Sequence, residues 1–469
     1  MRHNFKHFLK GTFLISFGAV ISQLIMLVAL PVLTRIYSPE DFGHYGLYLF
    51  FFSLFTVLAS LRYEQGIAIT KTQLGAIYLV LISIVLSVLV GLLIFLFGFM
   101  LNMFLEMGDD NIHSYLVYST FLALAIMFSG TYQALEFWAV RQKKYKEIAF
   151  AKALRAVGLS LSQIVFGLIE GHWVGQFVGG LRFLKLYFKT FKSNVKKISK
   201  RKIVWAFKRY KEFPKYDLWA VVISVLSSQA PIIFLMFLYS AEMAGYFMLA
   251  LSLLSAPIGL IGKAVSQVLL SHSKDALVNG VYVKSIYLKV FRVLVKIAVV
   301  PFFLIMLIPQ DFFVFLLGEK WLGAGVVIFW TAVWVMFQFI FSPLSVLFSV
   351  KEAQVQHRNL QIGFFFFRVV SLLIPYSLGA SGEEALIVFS LVNVLCYLFG
   401  IYYVLKLIDI DLPASAKIMI IDLLLGLGLF LSVMLLDMTN IIYFIIIVCV
   451  LVWVVLLWKE LRNVELQQD

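Results

Sequence analysis

The sequence predicts an all-α polytopic membrane protein with about fourteen transmembrane helices, and three observations carry that prediction. Hydrophobic residues make up 62% of the chain and charged residues 14%, against about 25% charged in an ordinary soluble domain. Apolar runs of roughly 18 residues or more, each long enough to cross a hydrocarbon core about 30 Å thick, recur along the whole length. The basic residues gather in alternate short connections between those runs, as a membrane topology requires.

Taken in order, spans are predicted near residues 11–33, 42–61, 75–99, 114–138, 148–169, 172–188, 216–238, 243–268, 290–308, 324–349, 360–378, 384–406, 416–437 and 441–458. The first run follows the basic flank MRHNFKHFLK, exceeds a signal-peptide core and lacks a small-x-small cleavage site, so it is read as a retained helix. YSPED separates it from the second run, RYEQ ends the second, LEMGDDN the third and RQKKYKE the fourth. The short IEGHW turn joins the fifth and sixth. YSAEM precedes the eighth, PQD follows the ninth, KEAQ the tenth, and LGASGEE links the eleventh to the twelfth. With both termini in the cytoplasm, the inner loops and tails hold about 28 Lys and Arg, whereas the outer loops hold only Arg35 and Lys320. That asymmetry sets the predicted orientation.

The stretch 189–215 carries eleven Lys or Arg and divides the chain. The expected organisation is an N-terminal six-helix bundle (1–188), this basic cytoplasmic linker (189–215), a C-terminal six-helix bundle (216–406), and two further helices with a cytoplasmic tail (407–469). A basic segment of this kind ordinarily anchors to anionic headgroups. The halves share a motif: Tyr37, Ser38, Glu40 and Gly43 recur as Tyr239, Ser240, Glu242 and Gly245, all at one offset. Each copy opens the second helix of its half on the same predicted side, which implies parallel repeats related by a pseudo-two-fold axis along the membrane normal. Paired bundles of this kind imply a central cavity and alternating access.

The net charge of +14 is accounted for by loops flanking spans, so no nucleic-acid partner is expected. Cys396 and Cys449 both lie inside apolar runs and offer neither metal spacing nor a disulfide framework. No paired-Cys or His-x-x-x-His spacing, Gly-x-Ser-x-Gly elbow or phosphate-binding loop is present, so neither enzyme chemistry nor a cofactor or metal is expected. Short outer loops weigh against a membrane polymerase or transferase.

Polar residues inside apolar runs are costly unless they face a bundle interior or watery cavity. One helical face of the fifth span gathers Lys152, Arg155, Gln163 and Glu170, and one of the eighth gathers Ser252, Ser255, Gly259, Lys263 and Ser266. The second span offers Ser53, Thr56, Ser60 and Glu64; the seventh Asp217, Ser224 and Ser228; the eleventh Gln361, Arg368, Ser371 and Pro375. Helix packing competes as the explanation for the serines, and snorkelling for Lys152 and Arg155. Arg182, Lys263 and above all the mid-span Arg368 call for a cavity. An Arg at mid-membrane costs roughly 2.5–3.5 kcal/mol, which contacts to an anionic ligand can recover. The candidate substrate-binding residues are therefore Arg368, Lys263, Arg155, Lys152 and Arg182. The carboxylates Glu64, Asp217 and Glu136 are candidates for ion or proton coupling, and they keep open a drug or small-metabolite/cation antiporter.

The segments LPVLTRIYSPEDFGHYGLY, LRYEQGIAIT and FPKYDLWAVVISVLSSQAPIIFLMFLYSAEMAGYFMLALSLLSAPIGLIGKAVSQVLL, about a quarter of the chain, carry a resemblance. The chain resembles the polysaccharide and O-antigen flippases (Wzx-type, polysaccharide transport family) of the multidrug/oligosaccharidyl-lipid/polysaccharide (MOP) exporter superfamily. It departs from their pattern at IEGHWVGQF, where a longer Gly-rich connection is usual. The resemblance implies translocation of undecaprenyl-diphosphate-linked oligosaccharide repeat units between leaflets of the bacterial inner membrane, for O-antigen, capsule or exopolysaccharide. It makes the lipid bilayer, a polysaccharide polymerase and a chain-length regulator the candidate partners.

Overall fold

The computed structural model describes residues 2–70, 72–105, 112–194, 199–256, 258–262, 265–266, 269, 283–308, 310–351, 353–410, 420 and 424. In hydrocarbon every backbone N–H and C=O must find a partner within the protein, and a helix meets that demand within one segment. Among the described residues there are accordingly helices and no strands, and nine helices are long and apolar enough to span a membrane. The predicted thirteenth and fourteenth spans lie outside the described residues.

The chain divides into two compact units, Met1–Met236 and Phe237–Asp469. The first contains α1 (Arg2–Ile36), α2 (Pro39–Ala59), a short α3 (Glu64–Ile69), α4 (Gln73–Leu105), α5 (Ile112–Arg141), α6 (Tyr145–Phe166), α7 (His172–Asn194) and α8 (Lys200–Arg209). A π-helical turn, Phe213–Asp217, then leads into α9 (Leu218–Leu238), within which the division falls. α4 packs on α5, α1 on α6, and α7 on both α5 and α6. Trp138, Tyr63, Tyr132 and Phe183 fill the interior.

Glycine spacing explains the α6–α7 contact. Gly175 and Gly179 stand four residues apart, so they fall on one face of α7, and Gly171 continues the spacing into the turn before it. A Cβ at Gly175 would lie 2.9 Å from the Arg155 carbonyl oxygen, and one at Gly179 would lie 3.1 Å from that of Ala151. Small residues thus let two backbones touch, the usual way for helices to associate without a solvent-driven force.

The second unit contains α10 (Ala241–Leu254), α11 (Val283–Met306), α12 (Gln310–Leu317), α13 (Ala324–Leu344), α14 (Val346–Val350), α15 (Gln354–Ser377) and α16 (Gly382–Lys406). α13 is its core: it packs against α10, α11 and α16, and most of the span that it forms with α14 is buried. Over the eighth predicted span, 243–268, regular α-helix runs to Leu254 and a π-helical turn follows at Ile258–Gly262, the Gly259 amide donating to the Ser255 carbonyl at 3.0 Å; residues 257, 263, 264, 267 and 268 lie outside the described residues. The sequence supplies a cause for the altered hydrogen-bonding pattern: Pro257 lacks an N–H, and Gly259 and Gly262 add backbone freedom.

The repeated motif has a physical role. Ser38 and Ser240 are the N-caps of α2 and α10, accepting from the Asp41 and Met243 amides at 3.2 and 3.0 Å. Each preceding tyrosine ties the cap to the fifth predicted span of its own half. The Tyr37 hydroxyl donates to the Gln163 carbonyl of α6 at 2.8 Å, and the Tyr239 hydroxyl to the Leu372 carbonyl of α15 at 2.9 Å.

Candidate functional site

The first unit builds a charged hub where α2 ends. Leu61 and Arg62 both take left-handed backbone angles (φ 49° and 66°), a conformation costly for side chains other than glycine. This turn places Arg62 between two carboxylates. Its Nε donates to Asp217 Oδ2 at 2.8 Å, and its Nη1 lies 3.3 Å from Glu64 Oε1. Glu64 is only 1% exposed, and the Ser60 hydroxyl donates to its other oxygen. Burial pushes the Glu64 carboxyl above the usual range; the Ser60 hydrogen bond and Arg62 oppose the shift, and the charge on Asp217 adds to it. Arg141 donates to the carbonyls of Ile67 (3.3 Å) and Thr70, neutralising the C-terminal end of α3.

Along α5, α6 and α7 the predicted cations divide into two groups. Lys152 Nζ lies 3.1 Å from Glu136 Oε1, and Arg182 Nε donates to Glu147 Oε2 at 2.5 Å. Both carry a counter-charge on a neighbouring helix. Arg155 instead lies 5.2 Å over the Tyr132 ring and meets no carboxylate within ion-pair distance among the described residues.

The polar face expected to run from Lys152 to Glu170 stops short, because α6 ends at Phe166 and Gly167 turns the chain with φ 129°. Glu170 therefore leaves the helix. Gln163 is absorbed in packing, its Nε2 donating to the Tyr45 hydroxyl (2.8 Å) and the Leu168 carbonyl (3.1 Å). Tyr45 in turn meets the buried His172 at Nδ1, 3.1 Å away.

In the second unit Arg368 is 9% exposed on α15. Its Nε donates to Asn393 Oδ1 at 2.8 Å and an Nη donates to the Tyr397 hydroxyl at 2.7 Å, both on α16. The guanidinium also lies over the Tyr397 and Phe364 rings, at 5.4 and 5.7 Å. Asn393 is held from behind by its Nδ2 donating to the Phe389 carbonyl at 2.8 Å. All these partners are neutral. Among the described residues no carboxylate lies within 4 Å of Arg368, and the coupling candidates Asp217 and Glu64 are both held by Arg62. Lys263 lies outside the described residues.

Sequence reasoning named Glu64 and Asp217 but passed over Arg62, and it found Arg368 without Asn393 and Tyr397. The last two were visible as an i, i+4 polar pair within the apolar run VNVLCYLF. His172 carried no signal beyond being a polar residue beside a turn.

These helices, with a buried Arg368 among them, define a multi-pass α-helical membrane protein in which the same capped turn recurs at the start of α2 and of α10. Its fold is similar to that of a lipid II flippase, MurJ, in an inward closed conformation, with a TM-score of 0.66 at 14% identity over 97% of this chain and 99% of that one. It is also similar to an inward-facing multidrug resistance MATE family transporter of the MOP superfamily, with a TM-score of 0.61 at 15% identity over 84% and 96%. A MOP superfamily transporter from Pyrococcus furiosus, whose binding pocket is described as having reversed polarity, gives 0.55 at 14% identity over 85% and 96%. No curated protein matches in sequence. Residues 32–325, more than half of the chain, match the family described as polysaccharide biosynthesis protein, and the chain belongs to that family.

Proposed function

We propose that this protein is a flippase that moves undecaprenyl-diphosphate-linked oligosaccharide repeat units from the cytoplasmic to the outer leaflet of the bacterial inner membrane, by alternating access, for O-antigen, capsule or exopolysaccharide assembly. The observation that carries the reading is Arg368, a buried cation whose partners among the described residues are all neutral. A charge in such a place is expensive, and a diphosphate oxygen is the ligand that offsets it through charge-assisted bonds. Asn393 and Tyr397 hold two of its nitrogens, which orients the fork before any ligand arrives. Arg155 is the corresponding unneutralised cation of the first unit. Lys152 and Arg182, each already paired, are secondary contacts, and Lys263 completes the proposed cationic set. Family membership and the fold shared with a lipid II flippase support the same substrate class.

A cationic-drug antiporter needs an available carboxylate. Glu64, Asp217 and Glu136 are each engaged by Arg62 or Lys152, which favours the anionic substrate. Glu64 remains the coupling candidate, since a buried carboxyl with a raised pKa takes up a proton readily. Vesicles containing the purified protein and a fluorescent lipid-diphosphate oligosaccharide test the reading. Protein-dependent appearance of the label on the opposite leaflet is expected; transport of cationic dyes without any movement of the lipid would overturn it.

A further inference from the structure

We propose that the outward face of α8 is a docking surface for anionic phospholipid headgroups of the cytoplasmic leaflet. The segment KRKIVWAFKR forms a helix whose inner face is fixed to the protein: Ala206 is fully buried in the core beside Tyr63, Ile67 and Leu79. The Tyr63 hydroxyl donates to the Phe207 carbonyl at 3.0 Å, and the two rings stack at 5.0 Å. The other face is consequently held in one orientation. Trp205 is 57% exposed on it, and the residues three and four positions to either side, Arg201, Lys202, Lys208 and Arg209, are all basic and exposed. None of these four meets a carboxylate within ion-pair distance among the described residues. Val204, 53% exposed, adds apolar surface.

An indole ringed by four unpaired cations has the composition of a membrane interface, where the ring sits among headgroups and the cations meet phosphate. A nucleic acid or acidic protein would satisfy the charges alone. The exposed Trp205 and Val204 favour a bilayer, which a chain with nine helices able to span a membrane among its described residues always has beside it. Each basic residue near an anionic surface contributes about fivefold to the preference. The Tyr210 ring stacks on Phe213 at the start of the turn that carries Asp217, so the docked helix adjoins the Arg62 hub.

The test uses the full chain in phosphatidylcholine vesicles containing brominated phosphatidylglycerol or, at the same mole fraction, brominated phosphatidylcholine. Subtracting the emission of a Trp205→Phe variant isolates Trp205. Quenching several-fold stronger with brominated phosphatidylglycerol is expected. The preference should vanish in a variant carrying Arg201→Gln, Lys202→Gln, Lys208→Gln and Arg209→Gln. If that variant fails to insert, raising salt from about 50 to about 500 mM should weaken the wild-type preference instead. Equal quenching by the two lipids, absence of quenching, or a preference indifferent to both charge removal and salt would each overturn the proposal.

Discussion

Replacing Arg368 with alanine separates substrate binding from folding, because two large structural terms oppose each other. The variant loses two hydrogen bonds from a charged donor, to Asn393 and Tyr397, at about 1.5–3 kcal/mol each. It also sheds the cost of holding a guanidinium within an apolar span, roughly 2.5–3.5 kcal/mol. The net loss of stability should stay below about 3.5 kcal/mol, the difference between these extremes. Inserted protein should therefore persist, with its thermal aggregation temperature in detergent lowered only modestly. Transport has no such offset: losing two charge-assisted bonds to a diphosphate weakens substrate binding by about 3 kcal/mol, roughly a hundredfold. Surface polysaccharide should fall to background while membrane abundance is preserved, and Arg368→Lys should recover part of it, since an ammonium keeps the charge without the planar fork. A well-expressed alanine variant exporting normally would refute the phosphate-binding role.

Gly175→Val should separate α6 from α7, because its Cβ would stand 2.9 Å from the Arg155 carbonyl oxygen; a loss of about 1–3 kcal/mol, read as a lower aggregation temperature, is expected. Glu64→Gln should flatten the pH dependence of stability: with its pKa raised, Glu64 contributes stability that is full below the ordinary glutamate range and is lost as pH rises through the shifted value, and thermal unfolding across that window measures it. Arg62→Ala leaves two carboxylates, Glu64 and Asp217, without their shared cation, so it should cost about 3–5 kcal/mol, and adding Glu64→Gln and Asp217→Asn should restore part of the protein's abundance on a blot. For orientation, a cysteine at Lys202 should resist an impermeant reagent in intact cells while one at Glu383 reacts.

Much of the fold was legible because hydrophobic length and turn chemistry are local. Ser38 and Ser381 announce helix starts with an acidic residue three positions on, and both form capping boxes. Arg368 was legible for the same reason, as a charge in the middle of an apolar run. Its setting was not, since Asn393 and Tyr397 belong to another helix and reach it only through packing. Arg62 illustrates the limit further: beside a loop it reads as an ordinary interfacial cation, and its partner Asp217 lies 155 positions away. The stripe predicted along the fifth span failed where its helix ended early, at Gly167, because a polar face inferred at a fixed angle per residue assumes an unbroken helix.

The sidedness of lipid-linked repeat units in cells lacking this gene tests the central claim most directly. Right-side-out and inverted membrane vesicles from such cells can be probed with a lectin or glycosidase that does not cross the bilayer. The flippase assignment predicts that lipid-diphosphate-linked repeat units accumulate on the cytoplasmic face while surface polysaccharide disappears, and that the wild-type gene, but not its Arg368→Ala form, reverses both. Repeat units reaching the outer face at the normal rate without the protein would contradict it.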